Sequence, residues 1–432
     1  MKFNKQQEVA IKEITTNLIK GNVLAWTLSG YAGTGKTTLA SHIADIAKAV
    51  GLKVWFVAPT NKAAEVLRRK GNAGVSTVHR LLYKFHNKRW IKVIETAQGL
   101  REKEEDTKLI ICDEASMLSD KLLDDLEEYA KFMGNKILYM GDPFQLPPVG
   151  HASRTVFDNE HKSVLTQVMR QKEESAILDW ATALRERQFA FAPDESKGDV
   201  LIEDRVTLWK SYIADLNAGK DVTMVTWKND ARVKFNAGVR SYLGYHGKTL
   251  QEGEPIMAIS NGIYMNNGET MNAPKGLEFL GKDNLYVTVA GKEKAVVVPA
   301  EFYRYDDDGC TKRIILVPEF MGASIAPQFL KGLYYWREEG GWKKEFTTTI
   351  GSGRRTRVTL DLSVSICTYG YAITAHKSQG SQWDEVYITG ISKLTGQQIT
   401  NARWLYTAVT RAASKVHMLD TECPRVFSWD KM

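Results

Sequence analysis

The chain of 432 residues is too long for one hydrophobic core, so several domains are expected, and its 43% hydrophobic content is that of a soluble globular protein. No apolar run is long enough to span a membrane and the N-terminus Met1-Lys2-Phe3-Asn4 lacks the apolar segment of a signal peptide, which points to the cytoplasm. The net charge of +7 favours a polyanionic partner, while four scattered cysteines (Cys112, Cys310, Cys367, Cys423) without a CxxC pair argue against structural zinc or a disulfide framework.

In chain order, Val23 to Leu28 reads as a strand, residues 30–37 read Gly-Tyr-Ala-Gly-Thr-Gly-Lys-Thr, and a helix follows from Thr38. This is a phosphate-binding loop in its proper setting. Gly30, Gly33, Thr34 and Gly35 let backbone N–H groups close around a polyphosphate, Lys36 reaches the β- and γ-phosphates, and Thr37 offers a hydroxyl to Mg²⁺. Strands at Lys53 to Ala58, Leu109 to Cys112 and Ile137 to Met140 alternate with helices beginning near Asn61 and Ser119, the pattern of a parallel sheet covered on both faces. Residues 83–107 interrupt it with a small insertion that reads as a hairpin.

A second α/β series starts near residue 155, with a helix at Glu174 to Arg187 and a strand at Val222 to Trp227. Residues 245–360 then carry short β-like runs (Leu285 to Val289, Ala295 to Val298, Arg313 to Val317) and turn signals at Asn267-Gly268 and Asp307-Asp308-Gly309, which read as an all-β insertion. The α/β pattern resumes at Val364 and continues through Asp384 to Thr389, Trp404 to Arg411 and Lys415 to Leu419.

The strand Leu109-Ile110-Ile111-Cys112 ends in Asp113-Glu114, at the edge where α/β sheets bind ligands. Asp113 would share Mg²⁺ with Thr37, and Glu114 would polarise an attacking water; a polar cap on a core strand is the bland alternative. Gln145, on a Pro-flanked loop after the next strand, can sense a γ-phosphate.

Gly141-Asp142-x-x-Gln145-Leu146-Pro147-Pro148-Val149, the phosphate loop, Ala58-Pro59-Thr60-Asn61-Lys62-Ala63-Ala64, Ser76-Thr77-Val78-His79-Arg80-Leu81 and Cys112-Asp113-Glu114-Ala115-Ser116-Met117 together resemble the motif series of superfamily 1 helicases. The wording is similar to the 5′-to-3′, RecD-like and Dda-like branch. Thr374 to Ser381 resembles its motif V, Tyr406 to Ala412 its motif VI with an arginine finger at Arg411, and Leu165 to Gln171 its motif IV, whose Arg170 also reaches the phosphates. Phe3-Asn4-x-x-Gln7 is similar to the adenine-reading Q motif, and Asn266-Asn267-Gly268-Glu269 to the start of an SH3-like module.

The resemblance implies an α/β fold with two RecA-like P-loop domains: 1–154 as domain 1A with 83–107 as insertion 1B, 155–244 and 361–432 as domain 2A, and 245–360 as the SH3-like insertion 2B. ATP with Mg²⁺ would lie between the domains, held by Gln7, the phosphate loop through Thr38, and Gly380, with Lys36, Glu114, Gln145, Arg170 and Arg411 as catalytic residues. Single-stranded DNA would cross both domains over Pro59, Thr60, Asn61, Thr77, His79, Thr374, His376 and Lys377. Thr60 equally reads as a helix N-cap. Phe85 or Trp90 could be the wedge that meets forked duplex, or Trp90 the core of a packed hairpin. Aromatics beside cations at Tyr334 to Arg337, Trp342 to Lys344 and Arg354 to Arg357 could clamp a strand.

The expected function is therefore an ATP-dependent 5′-to-3′ DNA helicase serving replication, recombination or repair, with proteins of those processes as possible partners. A host cytoplasm is the expected location if the source is a virus. The alternatives are a single-strand translocase that displaces proteins with little unwinding, and a nucleotide-gated nucleic-acid clamp.

Overall fold

The structure is a computed structural model that describes residues 3–69, 71–86, 89–96, 107–147, 154–167, 175–186, 193–259, 268–288, 296–307, 310–318, 326–328, 343–350, 354–361, 364–390 and 398–420. Helix α1 (Lys5–Glu13) starts at a reciprocal cap: Asn4 Oδ1 accepts from the Gln7 N–H at 2.8 Å and Gln7 Oε1 accepts from the Asn4 N–H at 3.1 Å. After it come β1 (Ala25–Gly30), α2 (Lys36–Ala49), β2 (Lys53–Ala58), α3 (Asn61–Arg69), β3 (Ser76–Thr77), α4 (Val78–Leu82), β4 (Tyr83–His86) and β5 (Arg89–Lys92). The first unit continues with β6 (Lys108–Cys112), α5 (Asp120–Met133), β7 (Lys136–Gly141) and β8 (Lys162–Leu165).

Six of these strands form a sheet in the order β3-β2-β6-β7-β1-β8, and every pairing in it is parallel. Strand β6 is buried along its whole length because helices cover both faces, which explains its unbroken apolar sequence and the burial of Cys112. β8 lies beyond residue 154 yet pairs with β1, Gly30 opposite Leu165, so the first unit's sheet runs past the boundary expected from sequence. Alternation identifies a strand but not which sheet receives it.

The insertion at 83–107 contains the expected hairpin: β4 and β5 pair antiparallel with Phe85 opposite Trp90. Its root is fastened to α5, where the Tyr83 hydroxyl donates to Asp125 and Lys92 Nζ lies 2.7 Å from Asp125 Oδ1 while also bonding Glu128.

The second unit contains α6 (Ala176–Arg185), β9 (Val200–Glu203), α7 (Arg205–Asn217), β10 (Val222–Thr226) and α8 (Asn229–Tyr242). A β-rich excursion follows, through β11 (Pro255–Ala258), β12 (Thr270–Asn272), β13 (Glu278–Thr288), β14 (Val296–Asp307), β15 (Cys310–Leu316), β16 (Ala326–Gln328), β17 (Lys343–Ile350), β18 (Arg354–Asp361) and β19 (Val364–Tyr369). The chain returns with β20 (Ala372–Thr374), α9 (Ala375–Ser378), β21 (Trp383–Thr389), α10 (Gln398–Val409) and β22 (Ala412–Leu419). The second parallel sheet has the order β20-β10-β21-β22-β9.

The excursion builds a seven-stranded sheet, β12-β11-β19-β15-β14-β13-β16, with β17 and β18 as a separate hairpin. β19 joins this sheet between β11 and β15, so the α/β sheet resumes at β20 rather than at Val364. β14 and β15 pair antiparallel with Asp307 opposite Cys310, while Asp308 and Gly309 of the expected turn lie outside the described residues. One core cluster spans both parts, with Tyr212 and Met224 of the α/β unit packed with Tyr303 and Ile314 of the β sheet. The Arg240–Glu254 ion pair at 2.8 Å and the Tyr371 hydroxyl bond to Glu254, also 2.8 Å, secure that junction.

At the far side of the second sheet, His417 sits between Glu203 (3.1 Å) and Glu385 (2.9 Å), under the Tyr387 ring. Asp215, Glu385 and His417 offer donor atoms within 4.8 Å of one another, but Lys220 already bridges the two carboxylates and the Tyr387 hydroxyl donates to Asp215, so the cluster is closed by its own bonds. Among the described residues, no helix is long and apolar enough to cross a membrane.

Burial opposes ionisation of Asp125, but hydrogen bonds from Lys92 and Tyr83 hold its carboxyl below the usual range. Its stabilising contribution is therefore present above the unfolded carboxyl pKa and is lost as pH falls through the folded value. Asp125→Ala should lower unfolding free energy by about 2–4 kcal/mol at neutral pH, with the deficit shrinking in acid; denaturant titrations that show a deficit independent of pH would contradict the anchored root.

Candidate nucleotide site and nucleic-acid track

The phosphate loop leaves the carboxyl end of β1. Gly33 and Gly35 have φ of 80° and 81°, a left-handed backbone that a side chain would strain. Gly30 is required for space: an added Cβ would stand 2.7 Å from Thr34 Oγ1 and 3.0 Å from Leu165 Cβ. Lys36 Nζ arches back to donate to the carbonyls of Gly30 at 2.6 Å and Tyr31 at 3.0 Å. Thr37 and Thr38 lie in the first turn of α2, where free N–H groups and the helix dipole favour an anion. Gln7, expected to read a base, is buried with its amide in the α1 cap, and its Nε2 donates to Thr34 O at 3.2 Å. It ties the first helix to the loop.

At the end of β6, Asp113 Oδ1 accepts from the Glu114 N–H at 2.9 Å. Among the described residues, Glu114 is the one non-glycine with positive φ, 53°. Such a backbone costs on the order of 1–3 kcal/mol and persists only where its surroundings enforce it. Desolvation, then the Asp113 charge, push the Glu114 carboxyl above its usual range, while Arg411 and Lys36 pull it back. After β7, Asp142 and Gln145 are buried, and Gln145 Oε1 has no hydrogen-bond partner. A buried acceptor left open in this way fits a donor such as a bound water. Asp113 and Thr37 supply the hard oxygen donors that suit Mg²⁺, and the loop supplies the N–H cradle that suits a polyphosphate.

The second unit closes the other side. The Tyr406 hydroxyl accepts from the Ala32 N–H at 3.1 Å and donates to Asp142 Oδ2 at 2.5 Å, joining the phosphate loop, the loop after β7 and α10 in one bridge. Beside it, the Leu146 N–H donates to Thr407 Oγ1 at 3.1 Å and Gln379 Nε2 to Leu146 O at 2.7 Å. Arg411 is 6% exposed and donates to Thr407 O, Ser381 O and Thr410 Oγ1. Gly380, at φ 73°, lies against α3, where an added Cβ would be 3.2 Å from Ala63 Cβ. Arg185 at the end of α6 lies over the Tyr31 ring, 3.6 Å from its centroid. Arg170 lies outside the described residues.

Sequence reasoning missed Tyr406, Asp142, Arg185 and Tyr31 as site residues. The available signal was Tyr31 itself: an aromatic side chain inside a phosphate loop needs a covering partner.

The expected strand-facing residues lie at carboxyl ends of strands in both sheets. Thr60 Oγ1 accepts from the Ala63 N–H at 3.2 Å, so the capping role is present, and Thr77 likewise caps α4 through the Arg80 N–H. Pro59 precedes Thr60 at the end of β2, and Asn61 opens α3. His79 is exposed on α4, its ring 5.3 Å from that of Tyr83. In the second unit, Thr374 ends β20, and His376 and Lys377 occupy α9. Desolvation and then the Arg232 charge pull Lys377 down to about 8, and desolvation and then Lys377 lower His376. The side chains of Asn61, Phe85 and Trp90, and those of the aromatic–basic segments at 334–357, lie outside the described residues.

A phosphate loop on one parallel sheet facing an arginine-bearing edge of a second defines a two-unit, RecA-like P-loop protein. Residues 2–201 match the AAA domain family and residues 369–419 the UvrD-like helicase C-terminal domain family. The chain is 27% identical over 90% of its length to 46% of the ATP-dependent RecD2 DNA helicase of Deinococcus radiodurans. It is 25% identical over 54% of its length to 55% of the ATP-dependent DNA helicase dda of Enterobacteria phage T4. The chain thus spans about half the length of these curated relatives. Among solved structures, Bacteroides Pif1 bound to ssDNA shares the fold at a TM-score of 0.53 and 17% identity, over 97% of this chain and 92% of that one. The chain is thus similar over most of its length to ATP-dependent DNA helicases, with an AAA-domain segment in the first unit and a UvrD-like helicase C-terminal segment in the second.

Tyr406→Phe removes the hydroxyl that joins the two units and leaves Asp142 Oδ2 and the Ala32 N–H without that partner. A loss of about 1–3 kcal/mol is expected in denaturant unfolding, together with weaker ATP binding; unchanged values of both would contradict the bridge.

Proposed function

We propose that this protein is an ATP-driven motor that moves 5′-to-3′ along single-stranded DNA and separates duplex at a fork. The observation that carries the reading is the electrostatic setting of Glu114: Lys36 of the first unit and Arg411 of the second both act on its carboxyl. A hydrolytic centre that needs both units is what links nucleotide chemistry to their relative motion.

In this reading the phosphate loop and α2 hold the triphosphate, with Lys36 on its terminal oxygens. Mg²⁺ held by Thr37 and Asp113 would neutralise charge on the phosphates. Glu114 orients a water and takes its proton, a role served by a carboxyl pushed above its usual range. Gln145 offers its open carbonyl to that water. Arg411, with Arg170, balances charge on the transferring phosphoryl, and Gly380 completes the nucleotide side of the seam. Gln7 contributes by holding the loop to α1.

Single-stranded DNA lies across Pro59, Thr60, Asn61, Thr77 and His79 on the first unit and Thr374, His376 and Lys377 on the second. Burial and then the Arg232 charge disfavour the charged form of Lys377, and a phosphate neighbour would restore it. The β4–β5 hairpin, fixed at its root to α5, is the element assigned to divide a duplex, with Phe85 or Trp90 at the fork. DNA as the track agrees with the names of the relatives, and polarity rests on the wording of the motifs. Work in replication, recombination or repair, with partner proteins of those processes and in a cytoplasmic setting, follows from the same reading.

Duplexes with a 5′ or a 3′ single-stranded tail test it. With ATP and Mg²⁺, strand separation is expected from the 5′-tailed substrate, and separation confined to the 3′-tailed substrate would overturn the polarity.

A further inference from the structure

Arg185 ends a helix whose other face, through Ala181 and Leu184, is buried in the core of the second unit. Its guanidinium nevertheless reaches the first unit and lies flat enough on Tyr31 to stand 3.6 Å from the ring centroid. Nη2 donates to Thr182 Oγ1 at 2.7 Å, whereas Nε and Nη1 are both buried with no hydrogen-bond partner. A half-buried guanidinium with two buried, open donors beside a phosphate loop is an arrangement that an anion would complete.

Among the described residues, the other two cations of the site are more fully engaged. Arg411 donates from Nε, Nη1 and Nη2 to acceptors in its own unit, and Lys36 donates to two carbonyls of the loop. Arg185 also acts electrostatically on Tyr406, whose hydroxyl accepts from the N–H of Ala32, the residue after Tyr31. Lys36 Nζ is 3.0 Å from the Tyr31 carbonyl, so the loop residue under Arg185 is one that the phosphate-binding lysine touches.

We propose that Arg185 is a further phosphate-contacting residue, delivered by the second unit to the terminal phosphate of a bound nucleoside triphosphate, with the Tyr31 ring as the platform on which its guanidinium rests. This rests on the motor reading above. The flat ring keeps the fork charged and desolvated close to the loop, and the triphosphate draws its open N–H groups off the ring edge and across the seam. Arg185 thereby distinguishes triphosphate from diphosphate and couples that difference to α6 and the core of the second unit.

The full chain and its Arg185→Gln and Arg185→Lys variants are titrated with two probes, ADP and the β,γ-imido analogue of ATP, each with Mg²⁺. Arg185→Gln should lower the triphosphate-to-diphosphate affinity ratio about tenfold or more and slow turnover at least about 10²-fold, with ADP affinity held within about twofold. Arg185→Lys should fall between, because it keeps the charge and loses the fork. Equal losses for both probes, or an unchanged ratio in both variants, would overturn the proposal and leave Arg185 as packing. If Arg185→Gln fails to fold by thermal melting, the ratio in Arg185→Lys decides. Lys36→Ala separates this inference from the reading beneath it: binding and turnover that survive Lys36→Ala remove the motor itself, whereas their loss with an unchanged Arg185 ratio removes only this role.

Discussion

Asp113, Glu114 and Asp142 crowd the carboxyl edge of one parallel sheet, and their mutual repulsion has to be met by cations and donors. Lys36 meets it from the phosphate loop, and Arg411 and the Tyr406 hydroxyl meet it from the second unit. One sheet alone cannot complete this site, because carboxylates at a shielded edge without partners would take up protons or remain hydrated. Glu114 stands in this group with a left-handed backbone, φ 53°, which persists only where the surrounding structure enforces it.

The seam joins hydrogen bonds, Ala32 to Tyr406, Tyr406 to Asp142, Leu146 to Thr407 and Gln379 to Leu146, with the packing of Phe144 and Leu146 against the core of the second unit. Each hydrogen bond contributes about 0.5–1.5 kcal/mol net. A nucleotide that binds the closed arrangement a few kcal/mol better than the open one is enough to move the equilibrium. By contrast, the β-rich excursion shares a continuous apolar core with its α/β sheet and moves with it.

Much of the fold was legible because its signals are local. The phosphate loop, Asp113-Glu114 and the start of α3 at Asn61 stand where spacing and strand–helix alternation put them. The errors were of long range. The second α/β series was expected to start near residue 155 and to resume at Val364, but membership of a sheet depends on partners distant in sequence, Gly30 for Leu165 in β8 and Leu316 for Cys367 in β19. Arg185 fell inside the helix expected at Glu174 to Arg187 with nothing local to mark it, because its partner, the Tyr31 ring, comes from another unit. Gln7 shows the reverse case: its motif suggested base reading, while its amide is engaged by a helix cap and the loop backbone.

The proposed motor requires nucleotide hydrolysis and strand binding to belong to one cycle, with Lys36 and Arg411 contributed by different units. The most direct measurement is the steady-state ATPase rate of the full chain with and without single-stranded DNA. A coupled motor requires the rate to rise about tenfold or more with the strand. A rate that is substantial alone and indifferent to the strand would contradict the coupling, even with the phosphate loop intact.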